Sequence, residues 1–304
     1  MGSIMVTGGL GFVGRHLVKR LADEGERVIS YNRDYAEPSD ARVTCVQGEL
    51  FDVPRLVRTL REHDVERIVH TAAMSHPELS LDLPITTIAA NVDGTTHLLE
   101  AARLADVRRV VNFSSECAYG HAEYELVTED APLHPTTPYG VTKVATELLG
   151  AVYAERYGVD VLSLRITEVY GPGNPMPQMT QQLLRAGIDG VPFRLEDGAD
   201  HAFQFVHVDD VAAAAVAAAG VGEHAQAVYN VTGGVQVTLA ETIDLVRSIV
   251  PELDAEVGPG HIPTLDRQGP YDISAIARDL DWRPRRELEE ATRAYADWLR
   301  THAC

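Results

Sequence analysis

The sequence predicts an α/β fold in which a parallel sheet is covered by helices on both faces. Three observations point there. Short apolar runs alternate with amphipathic helical patterns through the first half of the chain. The apolar runs are nearly continuous, as in strands buried on both faces. A glycine-spaced turn, Gly8-Gly9-Leu10-Gly11-Phe12-Val13-Gly14, joins the first strand to the first helix. Strands separated by helices form βαβ units, and such units require parallel pairing.

In chain order, residues 3–7 read as a strand. Residues 11–24 read as a helix with Phe12, Leu17, Val18 and Leu21 on one side. Further strands are expected at 27–31, 42–46, 67–70, 109–113 and 159–165, with helices at 54–62, 85–105 and 138–157. Beyond Arg165 the rhythm breaks at Gly171-Pro172-Gly173-Asn174-Pro175-Met176-Pro177, a run of residues that end regular structure. A helix at 178–187, strands at 191–195, 203–208 and 227–231, and a helix at 209–219 follow. From residue 238 onward the pattern holds two helices and a loop through Gly258-Pro259-Gly260. The expected organisation is a dinucleotide-binding Rossmann-type doubly wound domain, residues 1–170 plus about 200–232. A smaller C-terminal substrate lobe, about 171–199 and 233–304, closes over a cleft.

The chain carries 45 acidic and 26 basic residues in 304, a formal net charge of −19. It repels nucleic acid and anionic membrane surfaces, and any anionic ligand must be held by local donors. The acidity otherwise serves solubility or adaptation to a salty cytoplasm. Cys45, Cys117 and Cys304 are scattered, odd in number and without metal-ligand spacing, which suits a reducing cytoplasm. The start lacks a basic, apolar leader pattern, and the alanine-rich stretch 211–221 is too short to span a membrane.

Gly8, Gly11 and Gly14 would permit a tight turn, close approach of a pyrophosphate, and close packing of helix on strand. At the end of the second strand an acidic residue reads the 2′-hydroxyl of NAD, whereas arginine accommodates the 2′-phosphate of NADP. The chain has Asn32-Arg33 there and Asp34 one step on. The cofactor is therefore NAD or NADP, with NADP favoured unless Asp34 does the reading. Ser114-Ser115-Glu116-Cys117-Ala118-Tyr119-Gly120 follows the fifth strand, at the carboxyl edge where such sheets place ligands. Tyr139 and Lys143, in Tyr139-Gly140-Val141-Thr142-Lys143, share one helix face a turn apart. A cation so placed favours the phenolate, lowers the tyrosine pKa and makes an acid/base catalyst near neutral pH.

These motifs resemble those of the extended short-chain dehydrogenases/reductases, in the NAD-dependent sugar epimerase/dehydratase family. The likeness also covers His70-Thr71-Ala72-Ala73, Asn91-Val92-Asp93-Gly94-Thr95, Tyr170-Gly171-Pro172-Gly173 and Phe205-Val206-His207-Val208-Asp209-Asp210, spanning roughly residues 3–210. It implies Tyr139 as the acid/base and Lys143 on the nicotinamide ribose. Ser115 would bond the reacting oxygen, Asn91 and Ala72 would lie along the cofactor, and Glu49, after Gly48, would sit near the adenine. Phe12, Val13, Leu50, Thr71 and Ala73 complete the expected cofactor set. The positions after Ser115 hold an acid and a base in relatives that dehydrate a sugar. Glu116 and Cys117 occupy them here, with Glu116 as a second general acid or base and Cys117 as a base only if its pKa is lowered. The resemblance further implies a homodimer through the helices at 85–105 and 138–157.

Two departures bear on the substrate. Glu168, in Arg165-Ile166-Thr167-Glu168-Val169-Tyr170-Gly171-Pro172, stands where relatives have asparagine, and a glutamate repels a diphosphate. Phe203-Gln204 stands where they have a phosphate-binding arginine. Arg267 remains as a phosphate partner, with Arg185 or Arg194 as substitutes. The leading expectation is an epimerase or dehydratase acting on a nucleotide sugar through a transient keto intermediate. The alternatives are a dehydrogenase or ketoreductase of a sugar acid or hydroxy-ketone, and a non-catalytic cofactor-binding protein.

Overall fold

The computed structural model describes residues 2–302; Met1, Ala303 and Cys304 lie outside the described residues. The chain runs β1 Ser3–Thr7, α1 Phe12–Asp23, β2 Val28–Asn32, β3 Val43–Gln47, α2 Val53–Glu62, β4 Val65–His70, α3 Pro77–Asp82 and α4 Pro84–Ile88. It continues through a wide π turn at Ala89–Asp93 to α5 Gly94–Leu104, β5 Arg109–Ser115, α6 Pro138–Tyr157, β6 Asp160–Ile166 and β7 Glu168–Tyr170. Then come α7 Met179–Asp189, β8 Phe193–Leu195, β9 Ala202–Phe203, β10 Phe205–His207, α8 Val208–Gly220 and β11 Val228–Val231. The last elements are β12 Val237–Thr238, α9 Leu239–Ile249, β13 Ala255–Val257, α10 Ser274–Asp279 and α11 Leu288–Thr301.

Seven strands form one sheet in the order β11-β6-β5-β4-β1-β2-β3, every neighbouring pair parallel. The order in which strands are added switches side between β1 and β4, so the crevice outside their carboxyl ends is the natural ligand site of such a sheet. Side chains alternate across it. Ile4 and Val6 face a core with Leu17 and Leu21 of α1 and Val211 and Ala215 of α8. Met5 faces the opposite core with Leu56 of α2 and Leu98 of α5. A third core joins Leu183 of α7, Phe203, Phe205, Ile243 of α9 and Tyr295 of α11.

The expected strands and helices through β6 are present within a few residues. Helix α6 has the predicted bounds because its ends are marked locally: Thr137 caps Gly140 N–H, Pro138 opens the first turn and Gly158 closes the last. Four expectations are corrected. The single helix at 85–105 is interrupted by the π turn, where Asn91 turns inward to bond Met74 and Thr142. The strand at 203–208 is two strands, split where the Gln204 side chain leaves to bond Gly269 and Tyr271. The region after 238 holds three helices rather than two, and short α3, capped by His76, was not signalled. Among the described residues, no helix is long and apolar enough to cross a membrane.

Candidate active site

A cleft of about 1050 Å3 opens along the carboxyl ends of β1, β2, β4 and β5, bounded on its far side by Glu168, Phe203 and the loop through Tyr271. Its floor is the glycine turn. Gly8 has φ +70°, and a Cβ on Gly14 would stand 2.1 Å from the Gly8 carbonyl oxygen. Side chains at either place would break the turn. Gly11 precedes α1 without a side-chain cap, so the first N–H groups of that helix are left for a ligand. Phe12, Val13, Glu49, Leu50, Thr71, Ala72 and Ala73 also line the cleft. This cradle fits the pyrophosphate of a dinucleotide, with the helix N-terminus facing the charge.

Two cofactor expectations change. Asn32 is 7 % exposed: its Oδ1 accepts from Leu10 N–H at 2.9 Å, and its Nδ2 donates to the Ser30 carbonyl and hydroxyl. It holds the glycine turn in place rather than offering a free group to a ribose. Asn91 is buried off the cleft surface, bonded to Met74 on both its amide atoms and to the Thr142 hydroxyl at 3.0 Å. It braces α6 against the loop after β4. Arg33 is exposed, lines the cleft and makes no ion pair among the described residues. Asp34 lines the cleft beside it.

At the centre, Ser115, Tyr139 and Lys143 converge, each less than a tenth exposed. The Lys143 ammonium donates to the Phe113 carbonyl at 2.6 Å and lies 5.2 Å from the Tyr139 ring centre. Burial pushes the Tyr139 phenol above its ordinary value, Cys117 adds to this, and a hydrogen bond with Ser115 opposes it. Burial also draws Lys143 down to about 8. The expected lowering of Tyr139 by Lys143 is therefore absent in the protein alone. Removing both groups from water outweighs a cation held by a backbone carbonyl beside the ring.

The residues after Ser115 are also decided by burial. Cys117 is pushed up to about 12, first by burial and then by Glu116, so it holds a thiol and is not a base. Glu116 is raised well above the usual carboxylate range by burial and by Glu168, opposed by a hydrogen bond with the Tyr271 hydroxyl. Glu168 is raised to about 7 by burial, opposed by the Met179 N–H that its Oε1 accepts at 3.1 Å. Its expected repulsion of anions is thus reduced, and it serves to tie the start of α7 to β7.

Phe203 lines the cleft and stacks on Phe205, with ring centres 5.3 Å apart. Arg267 does not reach the cleft. It pairs with Glu123 at 2.9 Å in a side pocket of about 200 Å3. Arg194 pairs with Asp254 and Glu256, and Arg185 bonds the Leu299 carbonyl. Among the described residues, Arg33 and Lys143 are the arginine and lysine that line the cleft. His201, Gln204, Gln268 and Tyr271 line it too. Gln204 is marked in the sequence only as a departure from an expected arginine; His201, Gln268 and Tyr271 come from irregular stretches, and nothing local in the sequence marks them.

Residues 4–232 match the sequence model of the NAD dependent epimerase/dehydratase family. The chain belongs to that family. The NAD-dependent epimerases/dehydratases are enzymes of the extended short-chain dehydrogenase/reductase type, as is this chain. A dTDP-glucose 4,6-dehydratase of Streptomyces antibioticus is 30 % identical over 98 % of this chain and 92 % of its own length. A UDP-glucose 4-epimerase of Mycolicibacterium smegmatis is 32 % identical over 97 % of this chain and 98 % of its own. The solved structure of MoeE5 in complex with UDP-glucuronic acid and NAD shares the fold with TM-score 0.90 and 30 % identity, covering 99 % of both chains. The epimerase/dehydratase fold is thus present along the whole described chain, C-terminal helices included.

Proposed function

We propose that this chain oxidises a hydroxyl of a nucleotide-linked sugar transiently and returns the hydride, as an NAD(P)-dependent epimerase. The convergence of Ser115, Tyr139 and Lys143 above the glycine turn carries the reading. When bound, the nicotinamide cofactor supplies the hydride acceptor. Ser115 holds the reacting oxygen, the Tyr139 phenolate takes its proton and the resulting phenol returns it, and Lys143 binds the ribose and places its cation beside the phenolate. Glu116, held well above the usual carboxylate range, can serve as the acid, but eliminating water also needs a base. The Cys117 thiol, pushed up to about 12, is not one, which favours epimerisation over dehydration. Incubation with UDP-, TDP- and GDP-hexoses, followed by NMR, should give an epimer with no net cofactor reduction. A deoxy keto-sugar product would sink the preference for epimerisation.

One observation favours a second reading, net dehydrogenation of a substrate without a diphosphate. No arginine or lysine other than Arg33 and Lys143 lines the cleft among the described residues, and each charge-assisted phosphate contact is worth about 1.5–3 kcal/mol. Failure of UDP, TDP and GDP alike to raise the unfolding temperature would decide for this second reading.

The neutral Asn32 and unpaired Arg33 support NADP over NAD. Arg33→Ala should weaken NADP binding about ten- to a hundredfold and leave NAD nearly unchanged, as read by fluorescence titration. Equal losses for both would refute the assignment. We take residues 1–170 and about 200–232 as the cofactor domain and the remainder as the substrate lobe. A homodimer is also proposed, because Val141, Leu148 and Val152 on one face of α6 and Ile85 on α4 are exposed apolar side chains. Light scattering should give twice the chain mass, falling to one for Leu148→Glu; a monomeric parent protein would end this proposal.

A further inference from the structure

His16 on α1 stands between two acceptors that belong to other parts of the chain. Its Nδ1 lies 3.0 Å from an Asp209 carboxylate oxygen at the start of α8. Its Nε2 lies 3.0 Å from the Pro172 carbonyl oxygen, in the loop after β7. A carboxylate and a carbonyl only accept, so both ring nitrogens must donate. The imidazolium does this, whereas the neutral ring has one N–H and sets a lone pair against one of the two oxygens. Asp209 keeps its negative charge, held at about 2 first by the His16 bond.

The charged groups around this bridge come from several elements. Arg286, ahead of α11, pairs with the other Asp209 oxygen at 2.7 Å. His207, closing β10, accepts the Asp209 N–H on its Nδ1 at 3.2 Å, and burial holds it below its ordinary value, so it stays neutral. Asp210 accepts from the backbone N–H groups of Arg285 and Arg286. Arg15, next on α1, lies close under Gly173. The bond from His16 to Pro172 is thus the titratable tie in the group. What it ties is part of the cleft. Gly171 and Gly173 turn the loop with φ of +131° and +83°, and Asn174, Met176, Pro177 and Gln178 beyond them line the cleft. Helix α1 begins at the glycine turn, and its Phe12 lines the cleft and meets the His16 ring edge-on at 6.0 Å. His16 therefore joins the helix of the cofactor cradle to the loop on the substrate side.

We propose that His16 is a positioning residue: its imidazolium bridges Asp209 and Pro172 and so holds the 171–178 loop in place for the substrate. Losing the proton gives up the Pro172 bond, because the remaining N–H stays with the charged carboxylate. The loop is therefore held while the imidazole is charged and released as pH rises past the range in which it titrates. The tie does not depend on what the cleft turns over. Its effect on substrate rests on the reaction proposed above.

Hydrogen exchange of the 171–178 amides in the cofactor-loaded protein tests the tie, corrected for intrinsic rates, from about pH 5.5 to about 8.5. Protection should fall about tenfold across that range, the worth of one charge-assisted bond. His16→Gln offers an amide N–H that does not titrate, so its protection should be flat. Asp209→Asn removes the anion that favours the imidazolium and should move the fall to lower pH. KM for the sugar should rise with the same profile in the parent and lose that profile in His16→Gln, while the two proteins share one pH profile of kcat. Protection independent of pH in the parent, or an equal fall in His16→Gln, overturns the tie. A KM that ignores pH while the loop responds overturns the positioning role. If the loop responds as expected but no sugar is turned over, the catalytic reading fails and the tie stands.

Discussion

Tyr139→Phe is expected to lower turnover by about 10²–10⁴-fold, the usual worth of a positioned acid/base, while cofactor affinity is unchanged. The ring is packed on α6 and only the hydroxyl is lost, so the fold and the glycine turn stay intact. The missing group contacts the reacting oxygen during proton transfer, and kcat and kcat/KM should therefore fall together. Single-turnover measurements with a cofactor titration on the same sample check both halves. Retention of more than about a tenth of the parent rate would remove Tyr139 from the acid/base role. Because burial raises the phenol in the protein alone, the parent enzyme's phenolate should form only in the ternary complex.

The second large effect is on stability. Glu147→Ala is expected to cost about 3–5 kcal/mol, because it leaves a buried guanidinium without its partner. Arg165 on β6 and Glu147 on α6 are each 5 % exposed and meet through two bonds, at 2.9 and 2.7 Å. Ser114 donates to the same carboxylate, and Arg165 also bonds the Glu129 carbonyl and lies 4.6 Å from the Tyr119 ring centre. The pair therefore joins the strand carrying Ser115 and the helix carrying Lys143 to the loop that leads toward the substrate side. Replacing both partners by apolar residues of similar volume should cost much less than removing one. Urea unfolding of the single and double variants measures the difference. A single-variant loss below about 1 kcal/mol, the scale of an exposed pair, would show that the pair is not desolvated in solution.

Much of the fold was legible because its markers are local. Thr137, Pro138 and Gly158 delimit α6 within one stretch of chain, and the apolar runs of β1, β4 and β5 need only burial to be read as strands. Asn91 shows the limit. Its helical pattern looked uninterrupted, but bonds to Met74 and Thr142, far along the chain, draw it inward and widen the turn. Gln204 shows it again, breaking a strand to reach Gly269 and Tyr271. Arg267 was placed by its position in the sequence, and the structure pairs it with Glu123 outside the cleft.

The sequence by itself determined the parallel α/β architecture, the glycine turn and the shared helix face of Tyr139 and Lys143. Each depends on periodicity or spacing within a few turns of chain. Only the tertiary structure decided what those groups carry. Protonation follows from how much water each group loses and which charges remain nearby, and neither is a local property. The raised Glu116 and Glu168 carboxyls, the Tyr271 hydroxyl beside Glu116 and the protonated Cys117 all arise where loops distant in sequence close on one cleft.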